Sequence, residues 1–175
     1  MDNPVERATR IDGWMYPAEL EWLYKAAKRM KSIVEIGSWQ GRSTYVLLSG
    51  CQGPVMAVDK WDVELMKSHG NAFVARQKFF DNLKGFTNLT VMEMDSPQAA
   101  MAFQDNSVEM VFIDGNHLYE PFKSDLQAWL PKAKKLICGH DYMKADYPGV
   151  QRALDEYFGP GQVHTGPGSL WYVDK

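Results

Sequence analysis

Cysteine, positive charge and long apolar runs are all scarce in this chain, and each scarcity removes a class of protein. Two cysteines, Cys51 and Cys138, among 175 residues make neither a metal-binding framework nor a disulfide scaffold. A formal net charge of −3 leaves no basic footprint for nucleic acid or an anionic membrane. No apolar run approaches the ~20 residues of a membrane span. The opening Met1-Asp2-Asn3-Pro4 lacks the basic-then-apolar layout of a secretory signal. Internal repeats, low-complexity tracts and linkers are missing too. The expectation is a cytoplasmic protein with two reduced thiols, forming one domain over residues 1–175 that is large enough to bury a substantial core.

The richest stretch that is present runs Ile33-Val34-Glu35-Ile36-Gly37-Ser38-Trp39-Gln40-Gly41-Arg42-Ser43-Thr44. A β-branched apolar run passes through an acid and two glycines into an apolar helix, the strand–turn–helix of a nucleotide-binding α/β unit. A dinucleotide fingerprint wants glycine at the second site of G-x-G-x-x-G, where backbone approaches a pyrophosphate. Trp39 occupies that site and obstructs it. Glu35 would repel phosphate and suit a cation. Asp59 ends the next apolar run, 22 positions after Gly37, about the spacing at which an acid takes a ribose diol. The pattern favours a nucleoside with positive charge and no phosphate, as in S-adenosylmethionine, over NAD.

Strand-like runs recur at 32–36, 54–58, 89–93, 109–113 and 135–139, with helical stripes between them. Leu20, Leu23, Tyr24 and Ala27 mark a helix over 19–30. Phe122, Leu126, Trp129, Leu130 and Ala133 mark another, and Val150, Ala153, Leu154, Tyr157 and Phe158 the last. Ser96-Pro97 reads as an N-cap with proline at the first helical position, opening a short helix to about Phe103. The alternation implies a doubly wound, mostly parallel α/β sheet. Gln162–Thr165 and Ser169–Val173 flank Gly166-Pro167-Gly168 as an antiparallel hairpin. Ligands in such sheets sit outside the carboxyl ends of the strands. All five strands finish in or beside a carboxylate: Glu35, Asp59, Asp95, Asp114 and Asp141.

Four segments resemble class I S-adenosylmethionine-dependent methyltransferases, in particular the small O-methyltransferase branch related to macrocin-type and catechol-type enzymes. They are Gly13-Trp14-Met15-Tyr16-Pro17-Ala18-Glu19 with the 34–44 stretch, Val58-Asp59-Lys60-Trp61, Phe112-Ile113-Asp114-Gly115-Asn116-His117-Leu118-Tyr119-Glu120, and Gly139-His140-Asp141-Tyr142 with Tyr147-Pro148-Gly149-Val150. The resemblance implies a Rossmann-like, seven-stranded sheet with one antiparallel strand in its last pair. Two departures stand out. Lys132-Ala133-Lys134-Lys135 replaces the family's glycine turn before the fifth strand, suggesting a tighter or helical connection. The insertions that often form an acceptor lid are also missing, so a lid would come from a second subunit of a homo-oligomer.

By the same resemblance, Glu35, Gly37, Ser38, Gly41 and Ser43 belong to the cofactor's methionine end. Asp59, Lys60 and Trp61 belong to its ribose side, Asp95 and Ser96 to its adenine, and Asp114 to the same cofactor site. For Ser96 a helix-capping role competes; for Asp59, that of a solvated loop acid. Asp114 and His117 are the candidate catalytic pair, with His117 as general base because its ordinary pKa of ~6.5 suits proton transfer near neutrality. A histidine bonded only to its own turn is the plainer alternative. Asp114, His140 and Asp141 match the positions that hold Mg²⁺ or another divalent cation in metal-dependent members. The implied partner is a small-molecule hydroxyl acceptor, a sugar or other polyhydroxylated metabolite. A module that binds the nucleoside without turnover is the competing reading. Trp14, Tyr16, Trp61, Tyr142 and Met143 are candidate walls of an acceptor pocket, with Trp61 and Tyr142 favoured. His69 and His164 join no constellation.

Overall fold

The computed structural model describes residues 3–62 and 71–175; His69 lies outside them. Two helices, α1 (Pro4–Ala8) and α2 (Pro17–Ala27), precede the first strand. Then β1 (Ile33–Ile36), α3 (Arg42–Gly50), β2 (Val55–Val58), α4 (Ala72–Asn82), β3 (Leu89–Met92) and α5 (Ser96–Ala100) alternate. They are followed by β4 (Val108–Ile113), α6 (Tyr119–Trp129), β5 (Ala133–Gly139) and α7 (Pro148–Phe158), and the chain closes with β6 (His164–Thr165) and β7 (Trp171–Asp174).

The seven strands lie in the order β3-β2-β1-β4-β5-β7-β6. Strands β1 to β5 pair in parallel, and β7 runs antiparallel to both β5 and β6. The doubly wound sheet expected from the alternation is therefore present. Chain order reverses between β1 and β4, the switch point beside which ligands bind in sheets of this kind.

Adjacent strand residues feed opposite faces, as a period of two demands. Ile33, Met110 and Leu136 join the layer under α1 to α4, whereas Val34, Val111 and Ile137 join the layer under α5 to α7. Both faces are covered, which is why the parallel strands read as unbroken apolar runs rather than as alternating ones. Glu35 interrupts the first run and is fully buried.

Three local expectations need correction. Strand β5 begins at Ala133, so Lys134 and Lys135 are exposed strand residues, and the preceding turn is closed by the Lys132 N–H donating to the Trp129 carbonyl (3.0 Å). Asp95, not Ser96, is the N-cap of α5. Ser96 sits inside the first turn because its hydroxyl is taken by the Trp129 indole N–H at 2.7 Å. The hairpin strands are shorter and later than expected, with β6 only two residues long. Both cysteines are buried and unpaired. No helix among the described residues is long and apolar enough to cross a membrane.

Candidate active site at the carboxyl rim

The loop after β1 is tied to its neighbours atom by atom. Gly37 has φ +81°, its N–H donates to the Val58 carbonyl (2.9 Å), and a Cβ there would collide with the Asp114 carbonyl. Only glycine lets β1 and β4 end this close together. Gly41, at φ +91°, opens α3. Asp59 gathers the tip: Oδ2 accepts the N–H groups of Ser38 (2.8 Å) and Trp39 (3.0 Å), and Oδ1 accepts that of Trp61 (2.7 Å). A carboxylate offers roughly four lone-pair sites, so about one remains for a ligand. Asp59 is thus the organiser of two loops and not a solvated acid. Burial raises its pKa.

Glu35 lies beneath this loop. Its Oε2 accepts from the Ser38 hydroxyl (2.8 Å) and from Thr44, while Oε1 is buried with no hydrogen-bond partner among the described residues. Burial pushes its carboxyl up to about 7, against the pull of the Ser43, Thr44 and Ser38 hydroxyls. Arg42 clamps the segment before α2 over the same loop. It donates through Nε to the Ile11 carbonyl (2.6 Å), through Nη1 to Met15 (2.9 Å) and through Nη2 to Thr9 (3.2 Å). This holds the Trp14 ring 5.4 Å from that of Trp39.

On the β2–β3 side the charged groups are more exposed. Lys60 Nζ donates to Asp95 (3.2 Å) and lies 3.5 Å from Asp62, all on the surface. Beside Ser96 stands a residue that sequence reading missed. Asp125 of α6 is buried, and burial lifts its carboxyl to about 6 despite the Ser96 hydroxyl.

Beyond β4 and β5 five titratable groups meet. His117 Nε2 is 2.7 Å from Asp141 Oδ2 and 3.7 Å from Asp114 Oδ1; the first contact is off the line of an N–H and acts as an ion pair. The His117 ring lies on Tyr147, with centroids 4.4 Å apart. His140 Nδ1 is 3.2 Å from Asp141 Oδ1 and 3.7 Å from Asp114 Oδ1. Lys144 Nζ reaches Asp141 Oδ1 at 2.9 Å. Burial opposes charge on both rings, but the carboxylates overcome it, holding His117 at about 9 and His140 at about 10. Burial likewise works against the Asp141 charge, and the two histidines reverse it, holding that carboxyl far below its ordinary value. One ligand atom each from Asp114, His140 and Asp141 lie within 4.8 Å of one another, so these three could hold a cation.

Ser38 links Glu35 to Asp59, Gly37 abuts the Asp114 carbonyl, Gly41 and Ser43 lie at the start of α3, and Asp114, His117, His140 and Asp141 gather at the ends of β4 and β5. Lys60 and Asp95 pair after β2 and β3. The favoured wall residues are buried rather than open to solvent. Trp61 and Tyr142 are buried, Trp61 against Phe79 and Phe80 and Tyr142 bonded through its hydroxyl to Asp155 (3.2 Å), whereas Trp14, Tyr16 and Met143 are exposed. His164 packs on Tyr172 in the terminal hairpin. Left-handed backbone marks the rim: of five such non-glycine residues described, Trp39, Trp61, Asp141 and Met143 follow β1, β2 and β5.

Residues 34–142 match the model of a family described as a methyltransferase domain. The chain belongs to that family. The stretch thus carries an S-adenosylmethionine-dependent methyltransferase domain of class I, as the four segments imply. The chain is 23% identical over 127 residues to the uncharacterized protein y4gI of Sinorhizobium fredii (strain NBRC 101917 / NGR234), covering 69% of this chain but only 14% of that protein. In fold it is similar to the O-methyltransferase of Bacillus cereus solved in complex with SAH (TM-score 0.65, 17% identity, 100% of this chain and 92% of that one). It is also similar to an S-adenosylmethionine-dependent O-methyltransferase of Thermotoga maritima (TM-score 0.67, 12% identity, 99% and 71%). A TDP-rhamnose 3'-O-methyltransferase of calicheamicin biosynthesis aligns with TM-score 0.63 at 15% identity over 89% and 76% of the two chains.

Proposed function

We propose that this protein methylates a hydroxyl group of a small molecule, a sugar or other polyhydroxylated metabolite, with His117 as general base. The observation that carries the reading is a partly buried acid–imidazole cluster, Asp114, His117, His140 and Asp141, at the strand ends beside Glu35 and the Gly37 loop. S-adenosylmethionine supplies, when bound, an electrophilic methyl group on a sulfonium whose leaving group is a neutral thioether.

The residues fit that cofactor. Glu35 Oε1 is an unsatisfied buried acceptor, which an ammonium or sulfonium ligand would complete by charge. Trp39 fills the position a pyrophosphate needs, and Asp59 retains one acceptor site for a ribose hydroxyl. Asp95 offers an exposed carboxylate to an exocyclic amine, provided Lys60 yields it.

The residues also fit a divalent cation. Asp114 and Asp141 supply hard oxygens and His140 a nitrogen, a donor set suited to Mn²⁺ or Mg²⁺. A cation held there would act as a Lewis acid towards the acceptor oxygen and lower its pKa. His117 takes the acceptor proton in either case, but only in its neutral form. Because the carboxylates hold the ring protonated up to about 9, turnover should rise with pH towards that value. A metal-independent reaction is the second reading, favoured by the 2.7 Å approach of His117 to Asp141, which would hold the ring as a dyad on its own.

The test is methyl transfer from S-adenosylmethionine to a panel of sugars, polyols and phenols, with and without EDTA, beside calorimetric binding of the cofactor and of NAD. Transfer lost in EDTA and restored by Mn²⁺ or Mg²⁺, with cofactor binding intact, supports the metal-assisted reaction. Full activity in EDTA selects the dyad. Cofactor binding with no transfer to any hydroxyl would make the protein a binding module, and tight NAD binding alone would sink the proposal.

A further inference from the structure

Glu19 has no part in the chemistry above, yet both its oxygens are engaged beside it. It stands in the first turn of α2 and is 1% exposed. Oε2 accepts the Tyr16 N–H at 2.7 Å; Oε1 accepts the Ser169 N–H at 3.0 Å and lies 2.9 Å from His140 Nε2. The hairpin turn is seated on it, since a Cβ at Gly168 would strike the Glu19 carboxylate.

This arrangement fixes a tautomer. An ionised carboxylate only accepts, so His140 Nε2 must carry a hydrogen, and Nδ1 is the nitrogen left to bind a cation, which displaces the proton held there in the free site. Nδ1 faces Asp141 Oδ1 and Asp114 Oδ1. The Ser169 hydroxyl, 3.1 Å from Nε2, also accepts the Asp141 N–H at 3.2 Å, locking the ring against its neighbour's backbone. A ring held by a carboxylate on one nitrogen, with the other facing further ligands, is the outer-shell pattern of a metal-binding histidine.

We infer that Glu19 is a positioning residue that presents His140 Nδ1, beside Asp114 and Asp141, to a divalent cation, making the centre a nitrogen-bearing one that prefers Mn²⁺ or a similar transition ion to Mg²⁺. The inference rests on the metal-assisted reading of the same site. Mg²⁺ favours all-oxygen surroundings, and an imidazole ligand shifts preference along the transition series. Glutamine at position 19 cannot replace the acid. Three N–H donors converge on its two oxygens, and an amide would turn a donor towards one of them.

The experiment is calorimetric titration of Mn²⁺ and of Mg²⁺ into the full chain and into Glu19→Gln, with pulsed EPR of the Mn²⁺-loaded wild type. The wild type should prefer Mn²⁺ by about tenfold or more and show coupling to a coordinated imidazole nitrogen. Glu19→Gln, folded by circular dichroism, should bind Mn²⁺ about 10–100-fold more weakly. Should that variant not fold, Glu19→Asp makes the same comparison, because its shorter carboxylate keeps the charge but withdraws from Nε2. Unchanged Mn²⁺ affinity in either folded variant, or no nitrogen coupling in the wild type, overturns the inference and leaves the metal reading standing. A wild type that binds neither ion overturns the metal reading itself.

Discussion

His117 Nε2 lies an ångström nearer to Asp141 than to Asp114, 2.7 Å against 3.7 Å. The closer carboxylate is the one that β5 delivers, not the one three residues back along the chain. The sequence pairs His117 with Asp114 because they are neighbours in one motif. The fold makes Asp141 the residue that orients the ring.

Removing that ring should therefore uncouple chemistry from binding. His117→Ala is expected to lower kcat by about 10²–10⁴-fold, the usual worth of a general base, while cofactor affinity stays within about twofold. Steady-state methyl transfer and calorimetry on the same preparation check it. Undiminished turnover would remove His117 from the reaction.

Glu35 gives a pH dependence with a definite sign. Its carboxyl titrates near 4.5 when unfolded and about 7 when folded. The folded state holds the extra proton between those values, so stability falls as pH rises through that window, by on the order of 3 kcal/mol in all. A cationic ligand prefers the ionised form, so cofactor affinity should rise over the same range. Glu35→Gln should abolish both trends, read by urea unfolding and calorimetry from pH 5 to 8. Persistence of the affinity trend in that variant would show that another group carries it.

Gly37→Ala should be severe. The new methyl group would meet the Asp114 carbonyl, and the left-handed φ adds strain, for a loss of more than about 3 kcal/mol. Thermal unfolding measures it. A loss below about 1 kcal/mol would mean that β1 and β4 can separate.

Arg42→Lys should release the segment carrying Trp14 and Tyr16. An ammonium cannot span the carbonyls of Thr9, Ile11 and Met15 as a guanidinium does. The expected cost is about 2–3 kcal/mol, with faster proteolysis between residues 9 and 16. Wild-type cleavage rates in the variant would contradict the clamp.

The sheet was legible because parallel strands buried on both faces leave long apolar runs, and the rim was legible because each run ended at an acid. Boundaries were less so. Lys134 and Lys135 disguise the start of β5, since two exposed lysines outweigh Ala133 in any local pattern. Ser96 looked like a cap because the Trp129 indole that captures its hydroxyl lies 33 residues away. Glu19 was visible only as a helix-start acid, while the partners that give it meaning are 121 and 150 residues distant. Asp125 sat unremarked in an amphipathic stripe, and Lys144 in a polar loop. Ser96, Glu19 and Asp125 take their roles from contacts that no local window of the chain contains.

The four left-handed residues around the carboxyl rim, Trp39, Trp61, Asp141 and Met143, set a trap for any breeding of heat-resistant forms. Each holds back about 1–2 kcal/mol that glycine would release. A laboratory lineage selected on survival alone would gain melting temperature from glycine at exposed Met143, whereas at Trp61 and Asp141 the lost aromatic packing and ion pairs outweigh the strain released. Glycine at these places would also free the loops that aim Asp59 and Asp141. Screening such libraries for retained turnover, or leaving these four codons out of them, keeps the gain in heat resistance from being taken out of the catalyst.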